Sequence, residues 1–147
     1  GLLDRWNGHH PRQTVALGDR ICGVNGQSSI ASMRCAVRSA KITMQLARFP
    51  KRFTATLSRG QKQLGFSFRA VAGGRGTELQ VSEVAEGSVL FAHNARQVSA
   101  GRWWLAVLPG MIVEGANDAA GDVDAIVREL KLKSRDVVRL HVRRVDL

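Results

Sequence analysis

An α+β domain is what this chain predicts: a small β-sandwich or partly open barrel of five to six strands with two helices, preceded by an incomplete repeat of its own second half. Three observations carry the prediction. Short alternating apolar runs recur between Gly, Asn and Asp clusters, the period-2 pattern of half-buried strands bounded by turns. Two segments instead place apolar residues at helical spacing. A whole strand-and-turn block, LGDRICGVNG (17–26), returns without a gap as PGMIVEGAND (109–118), aligning Gly18 with Gly110, Ile21 with Val113, Gly23 with Gly115 and Asn25 with Asn117.

In the first copy, Leu2-Leu3 followed by Asn7 opens the block. The run Ile21–Val24 is a short strand, because Gly18-Asp19 and Asn25-Gly26 supply turn chemistry on both sides. Ile30, Met33 and Val37 predict a helix near 29–38 whose apolar stripe is exposed unless something covers it. KITMQLAR (41–48) alternates Ile42, Met44 and Leu46 and closes the copy as a strand. Between the copies lies material that the first one lacks. RFTATLS (52–58), LGFSFRAV (64–71) and ELQVSEV (78–84) read as three strands, the last two joined by a Gly73–Gly76 loop expected to be mobile. The second copy then runs through a short helix near 89–95, with Asn94 standing where Asn7 stood. Extra length follows in RWWLAVLP (102–109), then a strand at 113–116, the counterpart of Ile21–Val24. A helix over 123–130 is capped by Asp122, and the strand VVRLHVRR (137–144) ends the copy. The expected organisation is an incomplete repeat at 1–49 and a complete domain at 50–147. The join FPKRF (49–53) is too short for a flexible linker and favours close contact between them. A start at Gly1, with no Met or leader, reads as a piece of a longer chain whose opening strands were trimmed.

With 147 residues, 44% hydrophobic and 23% charged, a real core is affordable, and no apolar stretch approaches the roughly 20 residues that cross a bilayer. The net charge of +10 is uneven: residues 1–60 hold ten Lys/Arg against Asp4 and Asp19. A basic amino-terminal third attracts anionic partners, but its cations are scattered and lack interleaved stacking aromatics, which favours a solvated surface. Cys22 and Cys35 form no CxxC pair, so they are expected to be small buried hydrophobes of an intracellular, cytoplasmic protein. His9-His10 has no Cys or carboxylate companions, so neither a metal nor another cofactor is expected. No Gly-x-Ser-x-Gly, phosphate loop or paired carboxylate setting is present, and no catalytic residue is assigned.

LGDRICGVNG resembles the Gly-Asp-x-Ile-x-x-Val-Asn-Gly stretch of the PDZ domain family, and SRGQKQLGF (58–66) resembles that family's Arg-Gly followed by a Gly-Leu-Gly-Phe carboxylate loop. Gln63 stands where the first loop Gly is usual, and Met111 and Asp118 replace the Asp and final Gly of the second turn motif. The resemblance implies a module that binds the C-terminal tails of other proteins. Backbone amides of Leu64, Gly65 and Phe66 would hold the tail's carboxylate in a nest, and Arg59 would assist through water. The edge from Ser67 onward would accept the tail as an added strand. Leu64, Phe66, Phe68, Val127 and Leu130 would line an apolar pocket for the last side chain. Val123, where many members carry His, has no hydrogen-bond donor, so the third-last tail residue is expected to be hydrophobic too.

Three function classes follow. The first is a non-enzymatic interaction module, one of a tandem in a multidomain scaffold. The second is attachment to an anionic surface, a phosphoinositide membrane or nucleic acid, through the basic third. The third is a regulatory segment of a larger protease. Trp103-Trp104 serves packing or an extra binding surface.

Overall fold

In a computed structural model that describes residues 1–60 and 62–145, the chain divides into two compact units, Gly1–Phe49 and Pro50–Leu147. The first contains helix α1 (Leu2–His9), strand β1 (Arg20–Val24), helix α2 (Ile30–Ala36) and strand β2 (Met44–Ala47), with β1 and β2 paired as an antiparallel hairpin. The second contains β3 (Arg52–Ser58), β4 (Phe66–Gly73), β5 (Gly76–Val84), α3 (Val89–Ser99), a 3-10 turn at Trp103–Leu105, β6 (Ile112–Ala116), β7 (Ala119–Ala120), α4 (Val123–Lys131) and β8 (Val137–Arg143). The fold is α+β. Its six-stranded sheet is antiparallel and open, ordered β3-β8-β6-β5-β4 with β7 on β6. That order leaves β3 and β4 as the two edges.

Alternation explains the sheet's inner face. Phe53, Ala55 and Leu57 of β3, Val138, Leu140 and Val142 of β8, and Leu79 and Val81 of β5 are buried together. Ile126 and Leu130, one helical turn apart on α4, and Val89 and Leu90 at the start of α3 cover that face. Outside, a cross-strand ladder of charge runs from β3 to β5. Glu114 accepts from Arg52 Nε at 2.7 Å and from Arg143 Nε at 2.6 Å, and Arg143 Nη2 donates to Glu78 at 2.6 Å.

The internal repeat is also a repeat of hydrogen bonds. Asn7 donates to the Val15 carbonyl and accepts from its amide at 2.9 and 2.7 Å; Asn94 does the same to Val107 at 2.7 and 2.8 Å. Asn25 and Asn117 both sit in the left-handed region, with φ of 49° and 52°. Their backbone amides donate to Thr43 and Arg139, whose own amides donate back to the Asn side chains. A bulge precedes Gly23 in one copy and Gly115 in the other. Even the strand register matches: Arg20 faces Ala47 as Ile112 faces Arg143, and Gly23 faces Gln45 as Gly115 faces His141. Asn is required at these turns because it tolerates a positive φ and bonds the neighbouring strand in both directions.

One local expectation changes, and two segments gain detail. Cys22 and Cys35 are exposed, not buried; Cys22 takes the outward strand position that Glu114 takes in the second copy. The Gly73–Gly76 segment is a closed hairpin turn in which Gly73 pairs with Gly76, so β4 and β5 run further than their apolar alternation suggested. The extra length of the second copy falls between Asn94 and Val107, thirteen residues apart where Asn7 and Val15 are eight apart, and it holds the 3-10 turn with Trp103-Trp104 packed edge to face.

Candidate functional site

The segment joining β3 to β4 turns back at Gly60 (φ 54°) and Gly65 (φ 72°). Helix α3 dictates how it lies. The first amides of a helix have no partner within it, and here Val89 and Leu90 donate to the carbonyls of Gln63 and Leu64 at 3.4 and 3.1 Å, while Phe91 donates to the Ser88 hydroxyl at 3.2 Å. The Gly65 carbonyl in turn accepts from Ala85 at 2.8 Å. Three consecutive peptide units thus direct their carbonyls toward one segment, 85–90. In a planar trans peptide the following N–H points the opposite way, so the amides of Leu64, Gly65 and Phe66 face away from that segment. The Phe66 pairing with Val84 agrees, since an amide flanked by the Ala85-to-Gly65 bond lies on the outer side of β4.

Gly65 is required here for two reasons. Its φ is positive, and a Cβ would lie 1.9 Å from the Ser88 Cβ and 3.3 Å from the Ser88 Cα. A substitution at Gly65 therefore displaces the loop from the start of α3, and a Val cannot leave the surrounding fold untouched. Ser88 is the residue that sequence reasoning missed: a Ser immediately before the apolar pair Val89-Leu90 is a helix-start signal, and it also fixes the space beside Gly65.

Arg59 is buried, and its Nη1 donates to the carbonyls of Leu130 and Leu132 at 3.3 and 2.6 Å. Those are orphan acceptors at the end of α4, so the guanidinium ties the loop entrance to that helix. Its amide donates to Asp136 at 2.6 Å. This is a direct structural task, different from the water-mediated one expected for it.

The apolar candidates gather on a single core. Leu64 and Leu130 are buried within it, while Phe66 and Phe68 of β4 and Val123 and Val127 of α4 are half-buried against it. The Phe66 and Phe68 rings lie 5.9 Å apart in a tilted arrangement. Ser67 faces solvent. Two surface concavities lie elsewhere, one bounded by Arg52, Thr54, Glu114 and His141 and one by Ala119, Ala125, Arg128 and Leu132. Among the described residues, no group of three His, Cys, Asp or Glu side chains could hold a metal, and no helix is long and apolar enough to cross a membrane. No protein-family model matches the chain, and no similar curated protein was found.

Proposed function

We propose that residues 50–147 are a PDZ-like, non-enzymatic module that captures the C-terminal tails of other proteins. The observation that carries the reading is the run of three carbonyls at Gln63, Leu64 and Gly65 engaged by residues 85–90, which leaves the amides of Leu64, Gly65 and Phe66 turned away from that segment at the start of the edge strand β4. Converging main-chain donors are what a terminal carboxylate needs, and an unpaired strand edge is what an extended tail needs. Phe66, Phe68, Val127 and Leu130 suit an aliphatic or aromatic last residue, and Val123 a hydrophobic third-last one. Arg59 contributes by holding α4 at its place beside the loop.

The test compares fluorescent hydrophobic-tailed peptides carrying a free or an amidated C-terminus. The expected Kd for the free acid is near 1 μM, about 8 kcal/mol, and amidation removes most of the affinity. Equal binding of the two forms refutes the carboxylate socket. Binding that collapses with added salt yet ignores the tail's end group instead assigns the protein to anionic surfaces.

A further inference from the structure

On the outward face of the β4–β5 pair, Arg69 and Glu83 are exposed charges without an ion-pair partner among the described residues. Arg69 Nε donates to the Gln80 side-chain oxygen at 2.8 Å, and Gln80 Nε2 donates to the Gly110 carbonyl at 3.2 Å. The guanidinium is thus anchored over the two strands with both Nη groups left for a carboxylate. Glu83 stands opposite Ser67 on the neighbouring strand and shares its face. Glu78, on the same face, is already engaged by Arg143.

The main chain sets how a captured tail would lie against these charges. Because the Gly65 carbonyl accepts from Ala85, alternation turns the main-chain groups of Ser67 and Arg69 toward β5 and those of Phe66 and Phe68 toward the free edge. The bulge in this pair leaves the alternation of β4 intact: Ser67 faces Glu83 and Phe68 faces Val81, so the extra residue, Ser82, belongs to β5. An antiparallel tail whose carboxylate meets the amides of Leu64, Gly65 and Phe66 lays its last residue opposite Phe66 and its third-last opposite Phe68. Its second-last and fourth-last residues then fall opposite Ser67 and Arg69, on the charged face, with opposite Cβ atoms about 5 Å apart.

We propose that the module selects tails with a glutamate at the fourth-last position and a lysine or arginine at the second-last, and that Arg69 and Glu83 make the choice. The selection rests on the tail-capture function proposed above. Glutamate suits the fourth-last position better than aspartate, because the Arg69 guanidinium leans toward Gln80 and away from the tail. At the second-last position Ser67 is short, and Glu83 lies two strand spacings away, about 10 Å. A long basic side chain reaches across that gap, whereas a carboxylate there meets like charge.

The test uses the full chain and two fluorescent peptides of identical composition and hydrophobic ending, one with Glu fourth-last and Lys second-last, the other with the two exchanged, each as free acid and as amide. Equal net charge cancels the general attraction of the chain's +10 for acidic peptides. The first free acid is expected to bind on the order of 10-fold more tightly than the exchanged one. Replacing both charges (Arg69→Gln with Glu83→Gln) is expected to bring the two within about twofold while the preference for free acid over amide persists. Equal affinity of the two free acids, with the amides still weak, overturns the selection and leaves the carboxylate socket standing. A preference that survives the double substitution overturns the assignment to Arg69 and Glu83. Equal binding of free acid and amide fails the tail-capture function itself, and the selection falls with it.

Discussion

At the scale of single residues, the site is held by groups whose work is indirect. Arg59 is a buried cation whose partners are the two carbonyls at the end of α4, so Arg59→Met, similar in volume, leaves those acceptors unpaired. The variant is expected to lose about 2 kcal/mol in urea unfolding and to bind tails more weakly; a midpoint equal to the parent's removes this role. Glu114 lies between Arg52 and Arg143, and the hydrogen bond from Arg52 foremost, with that from Arg143 and both guanidinium charges, holds its carboxyl below the usual range despite some desolvation. A depressed carboxylate contributes stability that is present above its unfolded pKa and is lost as pH falls through the folded value. Glu114→Gln is therefore expected to flatten the acid limb of stability against pH while costing about 1 kcal/mol at neutrality, because Arg52 lies in solvent and Glu114 itself is only half-buried. Parallel acid limbs in the two proteins overturn the assignment.

At the scale of elements, two Asn-centred joints repeat. Asn117 stitches the β6–β7 turn to β8 through Arg139 and reaches Glu129 of α4 at 2.8 Å, so one side chain sets strand against helix. Asn117→Ala leaves the Arg139 amide without its partner and places a Cβ-bearing residue at φ 52° with no side-chain compensation. The expected loss is about 1–3 kcal/mol by denaturant titration, and Asn117→Gly should recover the backbone part alone. The difference between the Ala and Gly losses reads the backbone strain, and equal losses would mean that strain at this position contributes nothing. The repeat itself was legible in the sequence because turn residues obey fixed rules: Gly18, Gly23 and Asn25 had recognisable counterparts, and each pair performs the same task. The capping of α3 by loop carbonyls was not legible, since nothing in local pattern says which distant carbonyl will meet an orphan amide.

At the scale of the whole molecule, the two units differ in what they bury. Among the described residues of 1–49, Val24 is the one buried apolar side chain, whereas the second unit encloses a continuous core from Phe53 to Val142. A unit with so little buried surface opens readily. In native-state hydrogen exchange, the amides of β1 and β2 are expected to exchange far faster than those of β6 and β8, whose opening approaches global unfolding. Equal protection in both units would mean that the first is covered in solution. The Cys expectation failed at Cys22 for a local reason: it aligns with Glu114 of the complete copy, an outward position, and a small apolar residue on a strand says nothing about which side has a layer to bury it.

The sequence by itself determined the α+β class, the order of the longer strands and helices though not α1, β7 or the 3-10 turn, and the doubled block, because period, turn chemistry and helix caps act over a few neighbouring residues. Tertiary structure alone decided that the sheet is open with β4 at its edge, that the amides of Leu64, Gly65 and Phe66 face one way, and that Arg59 is spent on α4. Those outcomes depend on where separate segments meet: the orphan amides of α3 turn the loop's carbonyls, and planar peptides then turn its amides. Pattern along the chain encodes which residues prefer to be inside; only the assembled sheet and helices fix which direction a main-chain donor faces.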